Sequence, residues 1–150
     1  MRSKFLFLLG ALTAPLAALS QEAPAMIDIP VNIGQSVKEI RVPHHNAQGK
    51  LSLRLNAALA ERSSTTEFTF DDLRIEIFDN EAEESSLEVL LPEAVFDQNT
   101  RRLVSDRRSV IKGENIEITG REMEFNVDSR TSRLLGPVTM IISNTDKLQP

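Results

Sequence analysis

Apolar and polar residues alternate along most of this chain, and the alternation predicts strands. Leu51, Leu53 and Leu55 are separated by Ser52 and Arg54, Phe68 and Phe70 by Thr69, and Leu73, Ile75 and Ile77 by Arg74 and Glu76. Ile116 and Ile118 flank Glu117, Met123, Phe125 and Val127 alternate with Glu124 and Asn126, and Val138, Met140 and Ile142 close the series. A period of two places every second side chain on the same face, so each run offers one apolar face to a core and one polar face to water. Turn-forming residues punctuate the runs: Ala47-Gln48-Gly49, Asp79-Asn80, Asp97-Gln98-Asn99, Lys112-Gly113-Glu114-Asn115, Thr119-Gly120, Asp128-Ser129 and Gly136-Pro137. Many short strands with turns between them predict an all-β, antiparallel sandwich, roll or partly open barrel.

Three stretches are less regular. Residues 81–94 (EAEESSLEVLLPEA) have a helix-compatible composition, but Leu87, Val89 and Leu91 alternate. The alternation favours a strand that Pro92 ends, with acidic residues 81–84 in an exposed loop. Residues 56–62 (NAALAER) stay open between helix and strand. Residues 21–37 read as a leader that reaches the domain, with room for one short strand. The domain itself is expected over 38–145, with 146–150 as a tail.

A weak repeat links two segments about thirty residues apart. Phe96-Asp97-Gln98-Asn99-Thr100-Arg101-Arg102-Leu103 and Phe125-Asn126-Val127-Asp128-Ser129-Arg130-Thr131-Ser132-Arg133-Leu134 share a strand end, an Asn/Asp turn, a hydroxyl residue, an arginine and the start of a next strand at Leu, with a fainter copy at Phe78-Asp79-Asn80. Repetition of one hairpin unit points to stacked rungs, each burying its apolar face against the next. The same residues are also common hairpin vocabulary, so repeat and coincidence both remain open.

The first twenty residues change the picture from fold to location. Arg2 and Lys4 precede an apolar run from Phe5 to Leu19, and Ala18-Leu19-Ser20 supplies small residues around a cleavage point. Those are the parts of a secretory signal in order, so 1–20 is expected to be removed after Ser20 and the product to be exported. The alternative is an inner-membrane anchor through residues 5–19. A spanning helix needs about 20 apolar residues, and this run is shorter and interrupted by Pro15.

Composition then narrows the function. The formal net charge of the 150-residue chain is −5, and loss of Arg2 and Lys4 makes it more acidic. An acidic domain without a dense basic patch is a poor nucleic-acid binder. The chain has no Cys, no Trp and no Tyr, and 7 Phe. It therefore holds together by packing and hydrogen bonds, without disulfides.

Catalytic chemistry is hard to assemble from these residues. His44 and His45 are the 2 histidines, and neighbours on an extended chain point to opposite faces, which suits neither a shared metal nor a catalytic pair. They are expected in an exposed loop. Carboxylates such as Glu76, Glu88, Glu117, Glu122 and Glu124 fall at solvent-facing strand positions, where two that converge across a cleft, as a glycosidase needs, are not evident. Gly34, Gly113 and Gly136 match no phosphate-cradling pattern. Residues 101–108 (RRLVSDRR) form one basic cluster, suited to a phosphate headgroup or to balancing the acidic loop. No catalytic residue, metal ligand or cofactor is expected, and the chain is not read as an enzyme.

The C-terminal half resembles a known family. Leu103-Val104-Ser105, Ile118-Thr119-Gly120 with Met123 and Phe125, and Gly136-Pro137-Val138-Thr139-Met140 are similar in order to the periplasmic domains of the LptC and LptA (OstA-like) lipopolysaccharide-transport proteins. Residues 49–60 (GKLSLRLNAALA) and 71–79 (DDLRIEIFD) look like the opening strands of such a domain, so the resemblance spans roughly 40–142. It implies a rolled, V-shaped antiparallel β-jellyroll of stacked β-hairpin rungs. It also implies a function: shielding the acyl chains of lipopolysaccharide, or a related lipid, in an apolar groove and passing them between membranes.

The groove would be lined by Leu53, Leu55, Phe68, Phe70, Ile75, Ile77, Ile116, Ile118, Met123, Phe125, Val127, Val138, Met140 and Ile142. Implied partners are other Lpt-type β-jellyroll proteins and an inner-membrane ABC transporter, with edge-to-edge self-association as a further option. LptC keeps its N-terminal helix as an anchor, whereas this N-terminus reads as cleaved, as in LptA. The resemblance does not separate the two. The alternative is a structural β-roll that binds an envelope partner by strand-edge pairing and carries no lipid.

Overall fold

A computed structural model describes residues 27, 29–79 and 84–143. The proposed signal or anchor and the tail 146–150 lie outside the described residues, as do residues 80–83 of the acidic loop. Among those described, ten strands form one antiparallel sheet and there is no helix: β1 (Ser36–His45), β2 (Leu51–Arg62), β3 (Glu67–Ile77), β4 (Leu87–Asp97), β5 (Arg102–Ser105), β6 (Ser109–Gly113), β7 (Ile116–Gly120), β8 (Glu122–Asn126), β9 (Thr131–Leu135) and β10 (Thr139–Ile142). The chain is all-β, as its alternation predicts.

The short strands are halves of longer ones. β4 pairs with β5 through Val95–Asp97 and with β6 through Leu87–Leu90. β5 then pairs with β8 and β8 with β9, while β6 pairs with β7 and β7 with β10. The sheet is thus a meander of long strands in which the last three are each broken in the middle, at 106–108, at Arg121 and at 136–138.

These breaks line up with irregularities in β1 to β4 and define a crease across the sheet. Glu39 in β1 and Asp72 in β3 have φ of 53° and 48°, and Gly136 has φ of 83°. The left-handed region costs a non-glycine residue about 1–2 kcal/mol, so Glu39 and Asp72 are held there by the structure around them. Pro92 lies in β4 between the paired Leu91 and Glu93, where no ladder contact is made. This corrects the expectation that Pro92 ends the strand. β4 runs on to Asp97, and the proline, which has no N–H to donate, occupies the one place where none is needed. From β4 onward each neighbouring pair also gains one extra residue in crossing the line, as in a β-bulge.

The crease resets which residues face inward. In β2 the buried set is Leu53, Leu55 and Ala57, then Ala60; in β3 it is Phe68 and Phe70, then Leu73, Ile75 and Ile77; in β4 it is Val89 and Leu91, then Ala94 and Phe96. Two consecutive outward residues at the line let both halves keep an apolar inner face. On the inner side the crease is made of small residues: Ala57, Ala60, Ala94, Ser105, Ser109 and Gly120 are all buried. Larger side chains would hold the two faces apart. Ser105 Oγ accepts from the Arg107 N–H at 3.3 Å and Ser109 Oγ donates to the Arg107 carbonyl at 2.9 Å, satisfying the backbone of the broken turn.

Two arms result, sharing one apolar cluster. The aromatic arm carries Phe68, Phe70, Phe96, Leu103, Met123 and Phe125, with the Phe68 and Phe70 rings stacked at 6.4 Å. The aliphatic arm carries Val42, Leu53, Leu55, Ile75, Ile77 and Val89. The repeat has a structural counterpart: the β4–β5 and β8–β9 turns place Arg101 and Arg130 at φ of 58° and 55°, each after an Asx bond, Asn99 N–H to Asp97 at 2.8 Å and Ser129 N–H to Asn126 at 2.9 Å.

Thr119-Gly120 and Gly136-Pro137, expected as turns, are crease points. Residues 56–62 are strand. The leader makes no strand among its described residues before Ser36, yet Ile27, Ile29 and Val31 are buried in the core.

Candidate functional site

Residues directly opposite one another in a sheet share a face. One inner row can be followed through every ladder of the aliphatic arm: Met140 opposite Ile118, Ile118 opposite Ile111, Ile111 opposite Val89, Val89 opposite Ile75, Ile75 opposite Leu55, and Leu55 opposite Val42. Every member is aliphatic. Exposure falls along it, from 55% at Met140 through the half-buried Ile118 and Ile111 to 1% at Val89 and 0% at Ile75. An apolar strip therefore runs unbroken from β10, an edge strand among the described residues, into the interior.

The sequence-predicted groove residues divide along this strip. Leu53, Leu55, Ile75 and Ile77 are buried in the aliphatic arm, and Phe68, Phe70, Met123, Phe125 and Val127 belong to the buried cluster on the aromatic side. Ile116 and Ile118 are half-buried. Val138, Met140 and Ile142 are exposed, Ile142 by 62%. Alternation did not single out Ile111 or Val42, each one member of a short or mixed run, and Val89, which alternates with Leu87 and Leu91, is not counted among the expected groove residues. Register supplies what periodicity lacks.

The outward face is polar. Arg54 is directly opposite Glu76; its Nε and Nη2 donate to the carboxylate at 2.6 and 3.1 Å, and Asn56 Nδ2 adds a third bond at 2.6 Å. The Arg54 guanidinium holds the Glu76 carboxyl below the usual range, partly opposed by burial. It also lies 5.1 Å from the centre of the Phe78 ring. Arg102 pairs with Glu124, and Arg107 Nε donates to Glu93 at 3.1 Å. The basic cluster 101–108 is thus largely balanced by neighbouring carboxylates.

His44 is not in a loop. It is a half-buried residue near the end of β1, opposite Leu53. Burial pushes its pKa down, and the Arg101 charge adds to this. Arg101, in the β4–β5 turn, forms an ion pair with Asp128 at 2.9 Å. Among the described residues there is no group of three or more His, Asp or Glu able to hold a metal ion, and no helix long and apolar enough to cross a membrane. Outward cavities are shallow. One of about 370 Å³ lies at the crease between Glu39, Asn56, Asp72 and Glu76.

No family model and no curated protein sequence matches the chain. Among solved structures, the backbone is similar to that of LptH from Pseudomonas aeruginosa, described as the LptA-homologous periplasmic component of the conserved lipopolysaccharide transport device. The TM-score is 0.48 at 10% sequence identity, over 75% of this chain and 93% of that one.

Proposed function

We propose that this chain is a periplasmic lipid carrier of the LptA/LptC kind, exported by its first twenty residues. It holds acyl chains of lipopolysaccharide, or of a related lipid, against its inner face. The observation that carries this reading is the aliphatic row that begins at exposed Met140 and ends at buried Ile75 and Leu55. Burial of apolar surface is worth roughly 25 cal/mol per Å², so a chain lying on Met140, Ile142, Ile116 and Ile118 is bound without any charged contact. The other groove candidates extend that path inward as the arms part. Similar rolls are the partners that deliver and accept the lipid, through the edges that β1, β9 and β10 leave unpaired among the described residues, and an inner-membrane ABC transporter supplies the energy.

The test is photocrosslinking to lipopolysaccharide from a benzophenone amino acid at Met140 or Ile118, with outward Glu124 as the control. Crosslinks are expected from the two inner positions and not from Glu124. Equal yields from all three refute the groove. One observation favours a second reading: β10 exposes Ile141 on its opposite face as well. A β-roll that only pairs edges with a protein partner predicts protein crosslinks from Ile141 and no lipid crosslink from Ile118.

A further inference from the structure

The segment before β1 lies outside the sheet, yet Ile27, Ile29 and Val31 are only 2%, 4% and 3% exposed and belong to the same apolar cluster as the strands. Its backbone has few bonds to its surroundings. Gln98 Nε2 donates to the Ile27 carbonyl at 3.4 Å and Arg62 Nη1 to the Val31 carbonyl at 3.3 Å. The Val31 N–H closes a three-residue turn on the Ile29 carbonyl at 2.8 Å. Arg62 ends β2 and Gln98 follows β4, so the segment lies across the outer end of the aromatic arm. Nearer β1 the segment is anchored by backbone, with the Gly34 N–H donating to the Arg62 carbonyl at 2.8 Å and the Arg62 N–H to the Gln35 carbonyl at 3.2 Å. Among the described residues from Ile27 to Val31 the long-range ties are the two side-chain bonds, and apolar burial does the rest.

A stretch that buries the aliphatic side chains of Ile27, Ile29 and Val31 in the apolar cluster has the chemistry of a branched hydrocarbon chain. It is held by exclusion from water and not by a ladder, so it can be exchanged without breaking sheet pairing. The two arms differ in this respect. The aliphatic arm is open to solvent at Met140 and Ile142, while the aromatic arm is closed by a piece of its own chain.

We propose that the segment bearing Ile27, Ile29 and Val31 is a built-in stopper of the aromatic arm, occupying the space an acyl chain would take and yielding to that chain when the roll is filled. The inference rests on the lipid-carrier reading and adds a direction to it. Acyl chains come in over β7 and β10, and reach the phenylalanines only by expelling this segment.

The chain has no cysteine, so Val31→Cys in the full chain gives a single thiol, with Ile29→Cys as the second variant should the first fail to fold. Alkylation by N-ethylmaleimide is followed with and without cis-parinaric acid, whose fluorescence reports its own binding in the same sample. Ile75→Cys, in the centre of the sheet, monitors general loosening. Saturating probe is expected to speed alkylation at position 31 by at least about tenfold and to leave position 75 slow. Bound probe with no change at position 31, or with equal acceleration at 75, overturns the stopper and leaves the lipid reading standing. Failure of the probe to bind overturns both.

Discussion

Gly120 tests whether the crease is a packing requirement. It ends β7 where the sheet turns, and a Cβ added there would lie 2.6 Å from Leu134 Cδ2 and 3.1 Å from Leu134 Cβ. Carbon atoms in favourable contact sit about 3.5–4.0 Å apart. The terminal methyl of Leu134 can rotate away, but its Cβ moves only with the backbone of β9. Overpacking of this kind costs about 1–3 kcal/mol. Alanine also lowers the entropy of the unfolded chain, which offsets about 0.4–1 kcal/mol, and Gly120 is not among the glycines with positive φ, so no backbone strain is added. The expected net loss for Gly120→Ala is therefore about 1–2 kcal/mol.

Urea unfolding measures it as a lower midpoint at unchanged slope. Leu134→Ala alone also destabilises, since Leu134 packs against the core from a half-buried position. In the double variant the contacts with Cδ2 and Cγ at 2.6 and 3.3 Å are gone and only that with Cβ at 3.1 Å remains, so its loss should fall short of the two single losses combined by about 1 kcal/mol. Additivity within about 0.5 kcal/mol, or a higher midpoint for Gly120→Ala, would refute the claim that close approach across β8 and β9 excludes a side chain here.

Three further outcomes follow from the crease and the charged pairs. Asp72, at φ 48°, should tolerate asparagine and lose about 1–2 kcal/mol on substitution by valine, and a thermal midpoint indifferent to valine contradicts the left-handed crease. The Glu76 carboxyl is depressed in the folded state, so its stabilisation is present above its ordinary value of 4.5 and lost as pH falls through the folded pKa. Glu76→Gln should accordingly narrow the drop in urea midpoint between neutral and acidic pH. His44 is also depressed, by burial and then by Arg101, so the folded form favours the neutral ring; stability is present above 6.5 and lost as pH falls through the lowered pKa. His44→Gln should flatten stability across that window, and an unchanged slope would show that His44 is fully solvated.

The strands were legible because a half-buried sheet imposes a period of two, and this chain obeys it in runs such as Leu51–Leu55 and Met123–Val127. The crease was not, because it is a property of neighbours. Asp72, Pro92 and Arg121 mean little one by one; they become a line only when the ladders align them across the sheet. That is why Pro92 looked like an end and Gly136-Pro137 like a turn. Ile27, Ile29 and Val31 stood in the leader only as aliphatics among Pro, Gly and polar residues, and a short stretch without pairing partners does not say what it packs on. Of the candidate site, periodicity found the inner faces and could not say where they open. Exposure at Val138, Met140 and Ile142 depends on β10 having no further strand beyond it among the described residues.

That open edge bears on function through what the fold leaves unfinished. Burial of Phe68, Phe96 and Phe125 stabilises the domain itself, and fully burying such a side chain is worth about 1.5–3 kcal/mol. Met140, Ile141 and Ile142 return almost nothing of the kind, and an exposed apolar edge strand invites uncontrolled pairing. Two kinds of cover suit the geometry, and they use different surfaces. A lipid chain would cover the inner face, where Met140 and Ile142 stand opposite Ile118 and Ile116. An added strand would cover the backbone edge of β10 and bring its own side chains beside Ile141. Neither excludes the other: a strand docked on β10 would extend the inner row by one more residue beyond Met140, and lengthen the apolar path that a lipid follows out of this domain.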